Sequence, residues 1–239
     1  MKPAVDPLAQ LAEIRTIMER SSRFISLSGL SGVGAGVVAL AGAAFGHWYL
    51  HTQFRSDDVA ANPYAATPYG STFGDSSGFV RLMEGSAEAR MATLPFLLGL
   101  ALGIIVLAGL VAVYFTRRRS RSAGRSLWDP VVRRLFWSMA VPLVAGGLFC
   151  LRLYVHGAAG LVVPAMLIFY GLALLNASKY TLDEIKLLGI TEIGVGLVAM
   201  LFPDWAFAFF AVGFGLCHIG YGLLMYNRYE RQRRADPVA

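Results

Sequence analysis

The sequence predicts an all-α integral membrane protein: a bundle of six transmembrane helices, both termini cytoplasmic, with an N-terminal amphipathic helix lying in the interface. Three observations carry that prediction. The 239 residues are 56% hydrophobic and only 15% charged, with a mean hydropathy of +0.56, whereas soluble domains carry about 25% charged residues. Uncharged runs recur at close to the ~20 residues that a helix needs to cross a ~30 Å hydrocarbon layer. The basic residues collect on one side when those runs are threaded alternately through a bilayer.

The elements follow in chain order. Residues 1–23 are cytoplasmic, and within them Leu8, Leu11, Ile14 and Met18 share one helical face, with Glu13, Arg15, Glu19 and Arg20 elsewhere. That is the pattern of an interfacial helix; the alternative use of the same face is docking a cytoplasmic partner. The membrane domain occupies residues 24–227. Its first span, 24–50, is longer than the ~7–15-residue core of a secretory signal and follows 23 other residues, so it is expected to be retained. An outer loop, 51–93, combines Pro63 and Pro68 with Tyr64, Tyr69, Phe73 and Phe79. It reads as an irregular segment, either a cap on the bundle or a stretch that orders against a partner.

The second span, 91–116, precedes the run Arg117-Arg118-Arg119-Ser120-Arg121, a topology signal and a contact for anionic headgroups. Spans 135–155 and 159–178 form a hairpin whose charge is Arg152 and whose turn lies at His156 to Gly160. Spans 187–203 and 205–227 form another, interrupted by Glu192 and turned at Pro203-Asp204. A basic tail, 228–239, completes the chain. With the N-terminus inside, seventeen of the 21 lysines and arginines are cytoplasmic, and Arg55, Arg81, Arg90 and Arg152 are not. The net charge of +6 therefore encodes orientation.

Several function classes are excluded. The low charge argues against disorder, two cysteines against a disulfide scaffold, and the lack of a sizeable soluble domain against a nucleic-acid reader. There is no nucleophile elbow, phosphate loop or HExxH, and the spans' glycines follow no strand. Two features suggest how the bundle is built. Tyr170-Gly171-Leu172 with Asn176 is matched by Tyr221-Gly222-Leu223 with Asn227 at an offset of 51, as if one hairpin were repeated. The pairs Gly32/Gly36, Gly42/Gly46 and Gly99/Gly103 have the small-xxx-small spacing of close helix contacts, within the bundle or between copies.

Glycine-punctuated hairpins with a proline at the outer turn, as from Glu192-Ile193-Gly194-Val195-Gly196 to Pro203 and on through Gly213 to Gly222, resemble the HdeD-like family of six-span bacterial inner-membrane proteins. The resemblance covers mainly residues 187–227. It implies an inner-membrane location and an association with acid stress, and it brings no catalytic or ligand-binding residue to transfer. The long outer loop and the basic loop after the second span depart from that family's compact pattern.

Ionisable groups inside spans are costly and are the default functional candidates. Glu192 and His218 lie inside the fifth and sixth spans. Since these helices are antiparallel neighbours, Tyr221 reaches the depth of Glu192, and His218 lies one turn above. A Glu192/His218/Tyr221 cluster suits proton relay or a polar ligand; the plainer reading is a structural hydrogen bond between helices. His47 and His51, spaced i, i+4, share a face and with Asp57 and Asp58 are candidates for a metal site. Together with His156 they are also candidates for sensing external pH, or simply belong to an interfacial belt with Trp48 and Trp205. Arg152, on the face of His156, is a candidate anion contact or a snorkelling side chain. Cys150 and Cys217 have no paired spacing and read as small apolar residues. No cofactor is indicated. The expected partners are the bilayer with its anionic headgroups and a further membrane protein.

The expectation from these residues is a non-enzymatic inner-membrane protein, an accessory, structural or stress-responsive component of a larger assembly. The alternative is a small channel or transporter using the polar groups of spans three to six.

Overall fold

A computed structural model describes residues 28–53, 86–122 and 130–231. The interfacial helix at 1–23, Asp57, Asp58 and most of the outer loop and basic tail lie outside the described residues. Within them the chain is helical apart from short turns, and no strand occurs. The helices are α1 (Gly29–Gln53), α2 (Ala87–Ser122), α3 (Pro130–Val155), α4 (Val162–Ser178), α5 (Asp183–Ala199) and α6, the continuous run Pro203–Arg231.

Five stretches are long and apolar enough to cross a membrane: Gly29–Thr52, Ala87–Arg119, Pro130–Val155, Ala159–Ser178 and Pro203–Arg231. Their outward faces are apolar, as lipid requires: Ile105 is 67% exposed and Val141 70%. α5 differs, being only 17 residues long. It begins about a turn before residue 187, because Asp183 and Glu184 occupy its first turn, where carboxylates favour a helix N-terminus. It stops at Ala199, ahead of the 3₁₀ turn Pro203–Trp205. Two other helices are longer than their uncharged runs. α2 starts at Ala87 and extends through the arginine run, whose residues are good helix formers in water. α3 opens on Pro130, a favoured first helical position. Turns lie where glycine and proline mark them: Gly157 has φ +86°, and Pro203 opens the last turn.

α1 packs between α2 and α6, while α4 packs between α3 and α5. α5 joins the two halves by contacts with α6. Glycines permit the closest approaches. A Cβ on Gly222 would lie 2.7 Å from Gly29 O and Val33 N, and one on Gly189 2.8 Å from Gly171 O. The Gly42/Gly46 pair receives Ile104 and Leu100 of α2, whereas Gly99 and Gly103 face open space.

Polar ties fix one end of the bundle. Glu230 near the end of α6 accepts from Ser28 Oγ (3.1 Å), the Gly29 N–H (2.7 Å) and Arg119 (3.1 Å). It thus caps α1 and gathers three helix ends. Glu184 accepts from Arg228 at 2.9 Å and from the Tyr229 hydroxyl at 3.0 and 3.2 Å on that same end. At the opposite end an apolar cluster of Leu50, Tyr154, Ala159 and Ala206 closes the bundle. There the Tyr154 hydroxyl donates to Arg90 O (3.0 Å) and is 2.7 Å from Thr93 Oγ1.

Candidate functional site

Between those ends, where α4, α5 and α6 meet, lies a charged side chain wholly removed from the surface. Glu192 is 0% exposed. It is carried on the face of α5 that also buries Leu188 and Gly196. His218 of α6, itself buried, brings Nδ1 to 3.3 Å from Glu192 Oε1. Neither carboxylate oxygen has a hydrogen bond of good geometry. That is an expensive arrangement for a full charge.

The imidazole is held on both nitrogens. Nδ1 lies 3.2 Å from Gly213 O, and Nε2 lies 2.7 Å from the Tyr170 hydroxyl. A tyrosine hydroxyl donates to a bare Nε2 or accepts from a protonated one, so either charge state of His218 is satisfied without moving a heavy atom. Tyr170 is clamped by rings: its centroid is 5.1 Å from Phe214 and 5.3 Å from His218.

The backbone of α6 is adapted to this place. Ala211–Cys217 forms a π-helical segment ending where His218 resumes the α-helix; such wide turns are frequent at functional sites. Within it Gly213 makes room for the carboxylate. A Cβ there would lie 2.6 Å from Glu192 Oε2 and 2.4 Å from Leu167 Cδ2.

The structure thus brings Glu192 and His218 together and places Tyr221 one residue aside. The Tyr221 hydroxyl is 2.9 Å from Thr191 Oγ1, forming a second polar rung beside the first. Tyr170 is the member that sequence reasoning missed. Its signal was present, since Tyr170 is the counterpart of Tyr221 in the 51-residue repeat.

The other candidates lie at the Tyr154 end. The rings of His47 and His51 are stacked at 6.2 Å, and His47 meets Phe207 edge-on at 5.8 Å. The Arg152 guanidinium is hydrogen-bonded to His156 Nε2. Among the described residues no three His, Cys, Asp or Glu side chains are grouped to hold a metal. Cys150 donates weakly to Val162 O at 3.7 Å, and both cysteines are free thiols. No family model, curated protein or solved structure matches the chain.

Proposed function

We propose that the chain is a non-enzymatic, proton-responsive component of a bacterial inner membrane, serving a larger membrane assembly, and that Glu192 and His218 take up and release its proton. The observation carrying this reading is a carboxylate with 0% exposure facing a buried imidazole at 3.3 Å. A membrane interior tolerates such a pair mainly for use. The chain crosses the bilayer six times in this reading, since α5 at 17 residues is about 26 Å long, near a typical hydrocarbon thickness. Both termini are cytoplasmic. The end tied by Glu184 and Glu230 is flanked by Arg117 to Arg119, Arg133, Arg134, Lys179, Lys186, Arg228 and Arg231, against Arg90 and Arg152 at the other. The inner-membrane location and the tie to acid stress rest on the HdeD-like resemblance.

Infrared difference spectra of the protein in lipid bilayers test the reading. Acidification is expected to raise a protonated-carboxyl band in wild type that Glu192→Gln removes; identical spectra from the two proteins overturn it. A second reading, a small proton channel or transporter, is favoured by the succession of rungs along α5 and α6: Tyr170–His218–Glu192, Tyr221–Thr191 and Tyr229–Glu184–Arg228. It requires a proton flux across liposomes that Glu192→Gln abolishes.

A further inference from the structure

The two directions leading away from Glu192 are chemically unlike. Toward the end bearing Glu184, the Thr191–Tyr221 rung comes first, at 2.9 Å. About 12 Å from Glu192 along the axis of α5 comes Glu184, itself only 6% exposed. Its carboxylate is bound by Tyr229 and by Arg228, whose side chain is 70% exposed. Polar groups therefore stand at two levels between the surface and the buried pair. Packed among these stages is an apolar plug, the buried cluster that includes Leu174, Leu188 and Met225, with Tyr221 and Tyr229 against it.

Toward the other end there is no such series. Residues 193–202 of the α5 side, 159–169 of the α4 side and 206–216 of α6 carry no ionisable or hydrogen-bonding side chain. Phe214 lies against Tyr170, and Phe210 lies against Phe214 with centroids 4.8 Å apart. α1 presents Gly36 and Leu40 to this stretch of α6. From Glu192 to Phe202 the barrier is about 15 Å of hydrocarbon side chain. The other titratable groups at the pair are Tyr170 from α4, hydrogen-bonded to His218, and Cys217 from α6, with Tyr221 beside them on Thr191.

We infer that the Glu192–His218 pair exchanges its proton with one side of the membrane only, the side bearing Glu184, and that the Leu174, Leu188 and Met225 packing is the gate. The inference rests on the pair's being a proton-binding site, as proposed above. A site open on one side reports that compartment's acidity and conducts nothing across the bilayer, so one-sided access favours the proton-responsive component over the transporter. Glu184, which holds the exposed Arg228, marks the entry end, and opening of the plug admits a proton past the Thr191–Tyr221 rung to the pair.

A hydrophobic carbodiimide, which adds to protonated carboxyls within membranes, reads the site directly. Membrane vesicles of the two orientations, buffered differently inside and out, are treated with the reagent, and labelling at Glu192 is located by peptide mass spectrometry. Labelling is expected to follow the pH of the compartment facing Glu184, whichever orientation the vesicle has. Leu188→Ala and, separately, Met225→Ala are expected to speed the response to a pH jump several-fold, and Glu184→Gln to slow it. Labelling that follows the opposite compartment, or both equally, overturns one-sided access, and unchanged rates in both alanine variants overturn the gate. Glu192 left unlabelled at every pH refutes the proton-binding reading itself.

Discussion

Two glycines two residues apart on α6 are expected to respond to the same substitution with opposite signs. Alanine stabilises a helix interior by about 1 kcal/mol relative to glycine, and at Gly220, where an added Cβ meets nothing within 4 Å, that gain is expected in full. At Gly222 the same methyl lies 2.7 Å from Gly29 O and Val33 N and 3.1 Å from Gly32 C. Carbon contacts are comfortable at about 3.5–4 Å, so α1 must retreat by roughly 1 Å. Every atom met is backbone, so no rotamer change relieves the clash. Overpacking of this kind costs about 1–3 kcal/mol; with about 2 lost and about 1 gained, Gly222→Ala destabilises by about 1 kcal/mol. The two variants then differ by about 2 kcal/mol, roughly a thirtyfold ratio of folding constants. Equilibrium unfolding in mixed micelles of rising dodecyl sulfate fraction measures both. Equal shifts in the same direction would refute the direct backbone contact of α1 with α6.

Glu192→Leu and His218→Leu are each expected to destabilise by about 3 kcal/mol in the same titration, since each leaves a buried polar partner unpaired, while the double variant lies close to wild type; additive losses would show that the two side chains act independently. Tyr154→Phe removes the hydroxyl that joins Thr93 and Arg90 O, costing about 1 kcal/mol, read as a melting temperature lower by about 2–4 °C; an unchanged temperature contradicts that bridge. Glu230→Ala uncaps α1 and releases Arg119, at about 1–2 kcal/mol; hydrogen exchange is expected to accelerate at the amides of Gly29 and its neighbours, and unaltered exchange there counts against the cap. A reporter that fluoresces only in the cytoplasm, fused after Ala239, is expected to be bright, and a dark fusion removes the proposed topology.

Much of the bundle can be read from the chain because hydrocarbon imposes a simple length rule, and the turns at Gly157 and Pro203 interrupt the apolar runs at visible places. Helix ends are harder to read. A hydropathy criterion stops at charges, yet Asp183, Glu184 and Lys186 belong to α5, and the arginines after Thr116 belong to α2. The meeting of Glu192 with His218 was accessible from depth alone in an antiparallel pair. Depth does not give rotation about the helix axis, however, and a single residue step turns a side chain by about 100°. That is the difference between Tyr221 meeting Glu192 and its meeting Thr191. Tyr170 escaped notice because depth was compared between two helices, whereas the Gly171–Gly189 contact draws a third one in.

The repeat bears on whether the site is an accident of packing. In both segments a tyrosine precedes a glycine that lets a neighbouring helix come close, α5 at Gly171 and α1 at Gly222, and in both the tyrosine hydroxyl crosses to another helix: Tyr170 to His218, Tyr221 to Thr191. Both segments therefore carry the close approach and the reaching tyrosine, but only one carries the ionisable pair. At the same offset of 51, His218 corresponds to Leu167 and Glu192 to Val141. Leu167 is 0% exposed and Val141 is 70% exposed, so the first hairpin fills one position with core and turns the other outward. The pair sits where the π segment and Gly213 create space for a carboxylate.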